Sequence, residues 1–203
     1  KNRNLKEKFE ILKGLPAYGE MYISIPENGY SEFSEGLAVK FVKNDKTEWI
    51  ANFENGWSSL KFGKELKNSQ NILIIACGIC YLMNPNEIKP KVEFGNDFEK
   101  VFEYKNKFIL IGKYSISIVE DIDRIIHFDD LCYDGIKNVK VENENLIGIL
   151  NNYDSNGEEL ESDFILNLEN LKFQEIEKRR ILQNENLLKR ENKIENKSWW
   201  KIW

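Results

Sequence analysis

Between Ser69 and Pro85 the chain reads SQNILIIACGICYLMNP, and this stretch constrains the fold more than any other. Ile72–Ala76 is a continuous apolar run, Cys77-Gly78 interrupts it, Ile79–Met83 resumes it and Asn84-Pro85 closes it. Apolar runs this short, rich in β-branched residues and bounded by turn residues, read as buried strands rather than helix. Related patterns recur downstream, so the stretch reads as one copy of a repeated β unit.

Upstream, Leu5, Phe9 and Leu12 share one face of a short helix over residues 2–13, stopped by Gly14 and Pro16. Met21–Ile25 reads as a strand ended by Pro26 and the Asn28-Gly29 turn. Leu37, Val39 and Phe41 alternate with polar or small residues, as do Trp49, Ala51 and Phe53, with Lys43–Glu48 connecting them. That is a β-hairpin. Asn55-Gly56 turns the chain again, and Leu60–Leu66 is ambiguous.

The repeat has a period of 35–38 residues. Phe108–Ile111, Gly112-Lys113 and the alternating Tyr114, Ile116 and Ile118 match the first copy. A looser third copy runs from Val139–Glu142 through Asn143–Asn145 to Leu146–Leu150, with Phe164, Leu166 and Leu168 beyond. The expected fold is mainly β, an antiparallel meander with either propeller-like blades or a β-sandwich. Residues 1–14 would form an N-terminal helix, 15–170 the β domain, and 171–203 an amphipathic helical arm. Phe173, Ile176, Leu187 and Ile194 would lie on one face of that arm.

Composition narrows the function classes. Apolar residues at 41% and charged residues at 31% are those of a globular protein. No apolar run approaches a membrane span. The start, KNRNLKEKFE, has no apolar signal core. Three cysteines give no even disulfide framework, which agrees with a cytoplasmic protein. The net charge of −5 is uneven, because residues 171–203 carry nine Lys/Arg and five Glu while the rest is strongly acidic. An acidic body argues against nucleic-acid binding and suits a basic protein partner.

Few residues suggest chemistry. Cys77 and Cys80 form a C-x-x-C pair, but Tyr81–Pro85 supplies no helix whose N-terminus would activate Cys77. As a zinc site the pair would need two more ligands, and only His127 and Cys132 are available. His127 lies beside Asp129 and Asp130 with no recognisable nucleophile motif. Asp154–Glu159 places its glycine fourth, which is a turn and not an EF-hand loop. No catalytic residue, metal site or cofactor follows. Two surfaces do: an acidic partner-binding face of Asp121, Asp123, Asp129, Asp130 and Asp134, and a docking tail of Trp199, Trp200 and Trp203.

The segments LPAYGEMYISI (15–25), EWIANFENGW (48–57), CYLMNP (80–85) and YDGIKNVKVENENLIG (133–148) together resemble a group of uncharacterised bacterial proteins. The resemblance implies a bacterial, single-domain protein and carries over no active-site residue. The expected function is therefore non-catalytic: a protein-interaction or accessory protein with a basic partner, an immunity-type protein being one specific version. Attachment to a membrane surface by the tryptophan tail is the alternative, with a thiol enzyme using the C-x-x-C pair behind it. The arm could also pair two copies of the chain.

Overall fold

A computed structural model of the chain describes residues 8–17, 21–26, 35–67 and 69–180. It divides into two compact units, Lys1–Leu131 and Cys132–Trp203. The described residues are mainly β, in four four-stranded sheets.

The first sheet holds β1 (Phe9–Ile11), β2 (Ile23–Ile25), β3 (Leu37–Val42) and β4 (Glu48–Phe53), in the order β1-β3-β4-β2. The hairpin read from the alternation is β3–β4, with Phe41 opposite Trp49 and Leu37 opposite Phe53. β2 pairs with β4 in parallel, which a sequence of hairpins would not produce. The second sheet is a plain antiparallel meander of β5 (Lys61–Glu65), β6 (Ile72–Ala76), β7 (Ile79–Met83) and β8 (Val92–Phe94). The third repeats it with β9 (Lys100–Tyr104), β10 (Lys107–Ile111), β11 (Ile116–Asp121) and β12 (Arg124–Phe128). In the second unit β13 (Ile136–Glu142), β14 (Asn145–Tyr153), β15 (Glu159–Asn167) and β16 (Phe173–Arg180) form the fourth sheet, also a meander.

The packing explains the unbroken apolar runs. Ile72, Ile74, Ala76, Tyr81 and Met83 point from one face of the second sheet into a cluster with Val39, Phe41, Trp49 and Phe53 of the first. Leu73, Ile75, Cys80 and Leu82 point from its other face into a second cluster with Phe108, Leu110 and Val119 of the third. A sheet covered on both sides has no solvent face, so period-2 alternation disappears from β6 and β7. Phe41, Trp49, Phe53 and Tyr81 pack ring to ring through the first cluster at centroid distances of 4.8–6.1 Å. Such ring contacts add to burial itself.

Three expectations require correction. Phe9–Ile11 is not helix but strand β1, with Phe9 paired to Phe41 and Ile11 to Val39. Residues 1–7 lie outside the described residues. The helical arm does not begin at residue 171, because Phe173–Arg180 is strand β16 on β15. Phe173 stacks on Phe164 at 5.5 Å instead of lining a helix face. Residues 181–203, with the rest of the proposed arm, lie outside the described residues, as does the Asn28-Gly29 turn. The middle strand pairs begin at residues 72, 107 and 145, so the 35–38 spacing holds, but the third copy is β14–β15 and not β13–β14.

Candidate functional site, an aromatic and acidic rim

The connections at one end of the second and third sheets converge on a single rim. They are residues 54–60, the Cys77-Gly78 turn, residues 95–99, residues 112–115 and the segment after β12. Cys77-Gly78 is a two-residue hairpin loop between the paired Ala76 and Ile79, with φ of 48° and 108°. Both residues must take positive φ to match the strand twist, so glycine sits at the second. A Cβ on Gly78 would lie 2.6 Å from the Asn96 carbonyl, and one on Gly56 only 2.3 Å from it. The two glycines therefore let three backbones meet.

Backbone hydrogen bonds lock the convergence. Gly56 N–H donates to Ala76 O (3.0 Å), Trp57 N–H to Asn96 O (2.7 Å) and Ser58 N–H to Cys77 O (2.8 Å). The Ser58 hydroxyl donates to Phe98 O at 2.6 Å. Lys113 N–H donates to Asp97 Oδ2 at 3.1 Å, and Leu131 N–H to Tyr114 O at 3.0 Å. The result is a fixed surface that presents Trp57 with 84% of its area exposed. Tyr114, in the 112–115 connection of the same rim, is 37% exposed, with Lys113 Nζ 5.0 Å from its ring centroid. Asp129 and Asp130 lie exposed on the same rim, next to Leu131. Glu54 and Asp97 add two further carboxylates. Burial and the nearby Glu54 charge push the Glu93 carboxyl above its ordinary value, which agrees with a negative field at this end.

The proposed acidic face is divided by the fold. Asp121 and Asp123 lie at the opposite end of β11–β12 from Asp129 and Asp130. Asp134 belongs to the second unit, where it lies against Tyr153 and raises that hydroxyl's pKa. Asp121 is engaged internally: its Oδ1 accepts from Ser69 Oγ (3.0 Å), Asn71 Nδ2 (3.0 Å) and Ile122 N–H (2.8 Å). Burial pushes its carboxyl up, but the Asn71, Ile122 and Ser69 hydrogen bonds, with Arg124, outweigh this and hold it below its ordinary value. It ties the start of β6 to the end of β11.

A pH dependence follows. Asp121→Asn is expected to lower unfolding free energy by about 1–2 kcal/mol at pH 7, as charge-assisted hydrogen bonds become neutral ones. A carboxyl depressed in the folded state stabilises fully above its unfolded pKa, near 3.8, and loses that contribution as pH falls through the folded value. Denaturant unfolding of both proteins should therefore show the gap close below pH 3.8. A gap of constant size through that range would mean the charge does not act.

Among the other chemical candidates, Cys80 is fully buried between the second and third sheets, and burial pushes its thiol well up. Cys77 is half-buried in the hairpin turn, Cys132 is buried, and none of the three is bonded to another. His127 Nδ1 lies 2.9 Å from Ser117 Oγ, its cross-strand neighbour, and its ring meets Phe94 edge-on at 4.9 Å. The ten-residue separation hid that pair, although the turn after Asp121 sets the register that makes it. Asp154 Oδ1 accepts from the N–H groups of Asn156 and Glu158, closing a turn. No group of three or more His, Cys, Asp or Glu side chains among the described residues is placed to hold a metal ion. No helix of the described residues is long and apolar enough to cross a membrane. Trp199, Trp200 and Trp203 lie outside the described residues.

Sequence reading passed over Trp57. The signal was Asn55-Gly56 before it and Ser58-Ser59 after it, which mark a tryptophan held in a turn. Comparisons with protein-family models, with curated proteins and with solved structures found no match.

Proposed function

We propose that the chain is a non-catalytic protein-interaction module that presents the Trp57 rim to a basic partner. The observation that carries this reading is a tryptophan 84% exposed on a backbone held by its neighbours. Exposing an indole to water is unfavourable unless something covers it, and pre-organised aromatic side chains lose little entropy on binding. Tryptophan is also the residue type most enriched among binding hot spots. Carboxylates at Glu54, Asp97, Asp129 and Asp130 would steer a basic partner and set its orientation. Part of the same reading is that the sheets of the first unit are propeller-like blades, supported by the successive meanders of its second and third sheets and by the second sheet's cover on both faces. In such folds loops at one end of the blades form a common binding surface. An immunity-type role, neutralising a basic toxin domain, is the specific version that the acidic charge favours.

The test is affinity capture from host lysate with the full chain, Trp57→Ala, and the double variant Asp129→Asn with Asp130→Asn. Wild type should retain a basic protein. Trp57→Ala should weaken its binding about 30-fold, the size of a hot-spot loss. The double variant should chiefly slow association, with less effect at high salt. Equal retention by wild type and Trp57→Ala would remove the rim as the binding surface.

A further inference from the structure

The fourth sheet has one sealed face and one open face. Leu146, Leu150, Phe164 and Leu166 are buried on the first. On the second, Ile147, Ile149 and Ile165 are only half-buried, and Ile176 is 57% exposed. Together they line a groove of about 310 Å³, flanked by Lys140 and Asp163.

Two irregularities shape this groove. On one side the β13–β14 register slips between Lys137 and Lys140, where Asn138 takes a φ of 52°. On the other, Asp163 pairs with Glu177 and Phe164 with Glu175, which leaves Ile176 as the extra, unpaired residue of a bulge. Bulges re-aim side chains, and here the re-aimed side chain is an isoleucine beside an apolar groove. An edge strand managed for solubility would carry a charge at such a position.

We infer that this open face is the docking site for the chain's own residues 187–203, with Trp199, Trp200 and Trp203 as its anchors. The segment follows in sequence from Arg180, the last described residue, four residues beyond Ile176 and on the strand that borders the groove. The nineteen residues from there to Trp199 can span roughly 60 Å extended, several times what a return to the groove requires. Tethering makes the docking intramolecular, so it needs no free partner at high concentration. Charge favours it as well: residues 132–180 hold six Lys/Arg and eleven Asp/Glu, while residues 181–203 hold five Lys/Arg and three Glu. Three indoles supply flat apolar area of the kind the isoleucine face lacks. This docking is independent of the Trp57 rim, which lies in the other unit.

The test uses the full chain with the photocross-linker p-benzoylphenylalanine in place of Ile202, between the retained Trp200 and Trp203. Irradiating a mixture of isotopically light and heavy protein, then mapping the products by mass spectrometry, separates contacts within one chain from contacts between chains. Cross-links within one chain to residues 147–149 and 163–165 are the expected result. Ile176→Glu, at a position already exposed, should reduce their yield at least tenfold while leaving the circular dichroism spectrum unchanged. Light-to-heavy cross-links at these residues would assign the face to a second copy and overturn self-docking. Cross-links elsewhere, or none, would overturn it too, as would a yield that Ile176→Glu leaves unchanged.

Discussion

Replacing Phe53 by alanine is expected to destabilise the first unit by about 3–5 kcal/mol, the usual cost of removing a fully buried aromatic ring. Phe53 is 0% exposed at the end of β4 and contacts two other rings. Its centroid lies 6.1 Å from Phe41 of its own sheet and 4.8 Å from Tyr81 of the second. It therefore joins the two sheets, and no neighbour can fill the space without losing its own contacts. Against a typical total of about 5–15 kcal/mol the loss is large. Denaturant unfolding followed by circular dichroism would measure it, with Ile88→Ala, 43% exposed, as a control expected to change stability by less than about 1 kcal/mol. A Phe53→Ala change no larger than the control's would show that the first two sheets do not share a core.

Gly78→Val should be the most damaging single change at the rim. The backbone there has a φ of 108°, and the added Cβ would sit 2.6 Å from the Asn96 carbonyl. Forcing a β-branched residue into that conformation costs on the order of 1–3 kcal/mol before the clash is counted. The clash falls on the carbonyl that accepts the Trp57 N–H, so relieving it displaces the Trp57 loop. Two effects should appear together: a lower unfolding midpoint and a loss of partner binding comparable to that of Trp57→Ala. Gly157→Ala is the matched control, since Gly157 also has positive φ, at 79°, but an added Cβ there meets nothing within 4 Å. If Gly78→Val kept full binding at a temperature where it remains folded, the rim would not depend on the convergence of the three loops.

Much of the β scaffold was legible in the sequence, and the misreadings have physical causes. Leu37–Phe41 and Trp49–Phe53 alternate because their sheet has one apolar cluster on one side and Lys40 on the other, bridged to Glu10 at 2.7 Å. Phe9–Ile11 misled because three residues are too few to display either period, and its pairing to β3 is a long-range choice. Phe173 and Ile176 fit a helical spacing for a related reason. Their side chains leave the strand on opposite faces, Phe173 onto Phe164 and Ile176 beside the groove, and two residues three apart are too few to tell that from one helical face. Val92–Phe94 and Lys100–Tyr104 carried little signal, since edge strands are short and half-exposed.

The sequence alone determined the class of structure and the spacing of its units. Local patterning decides which segments are extended, because apolar runs, turn residues and glycines act over a few residues. What it could not supply was which ends of those strands lie together. Asp121 and Asp129 are eight residues apart in a run of acids, yet the fold sends one to an internal hydrogen-bond junction and the other to an exposed rim. Trp57 was one aromatic among many until tertiary contacts left it exposed on a pinned loop. Contacts between distant segments, each worth little alone and cooperative only in the assembled sheets, made that decision.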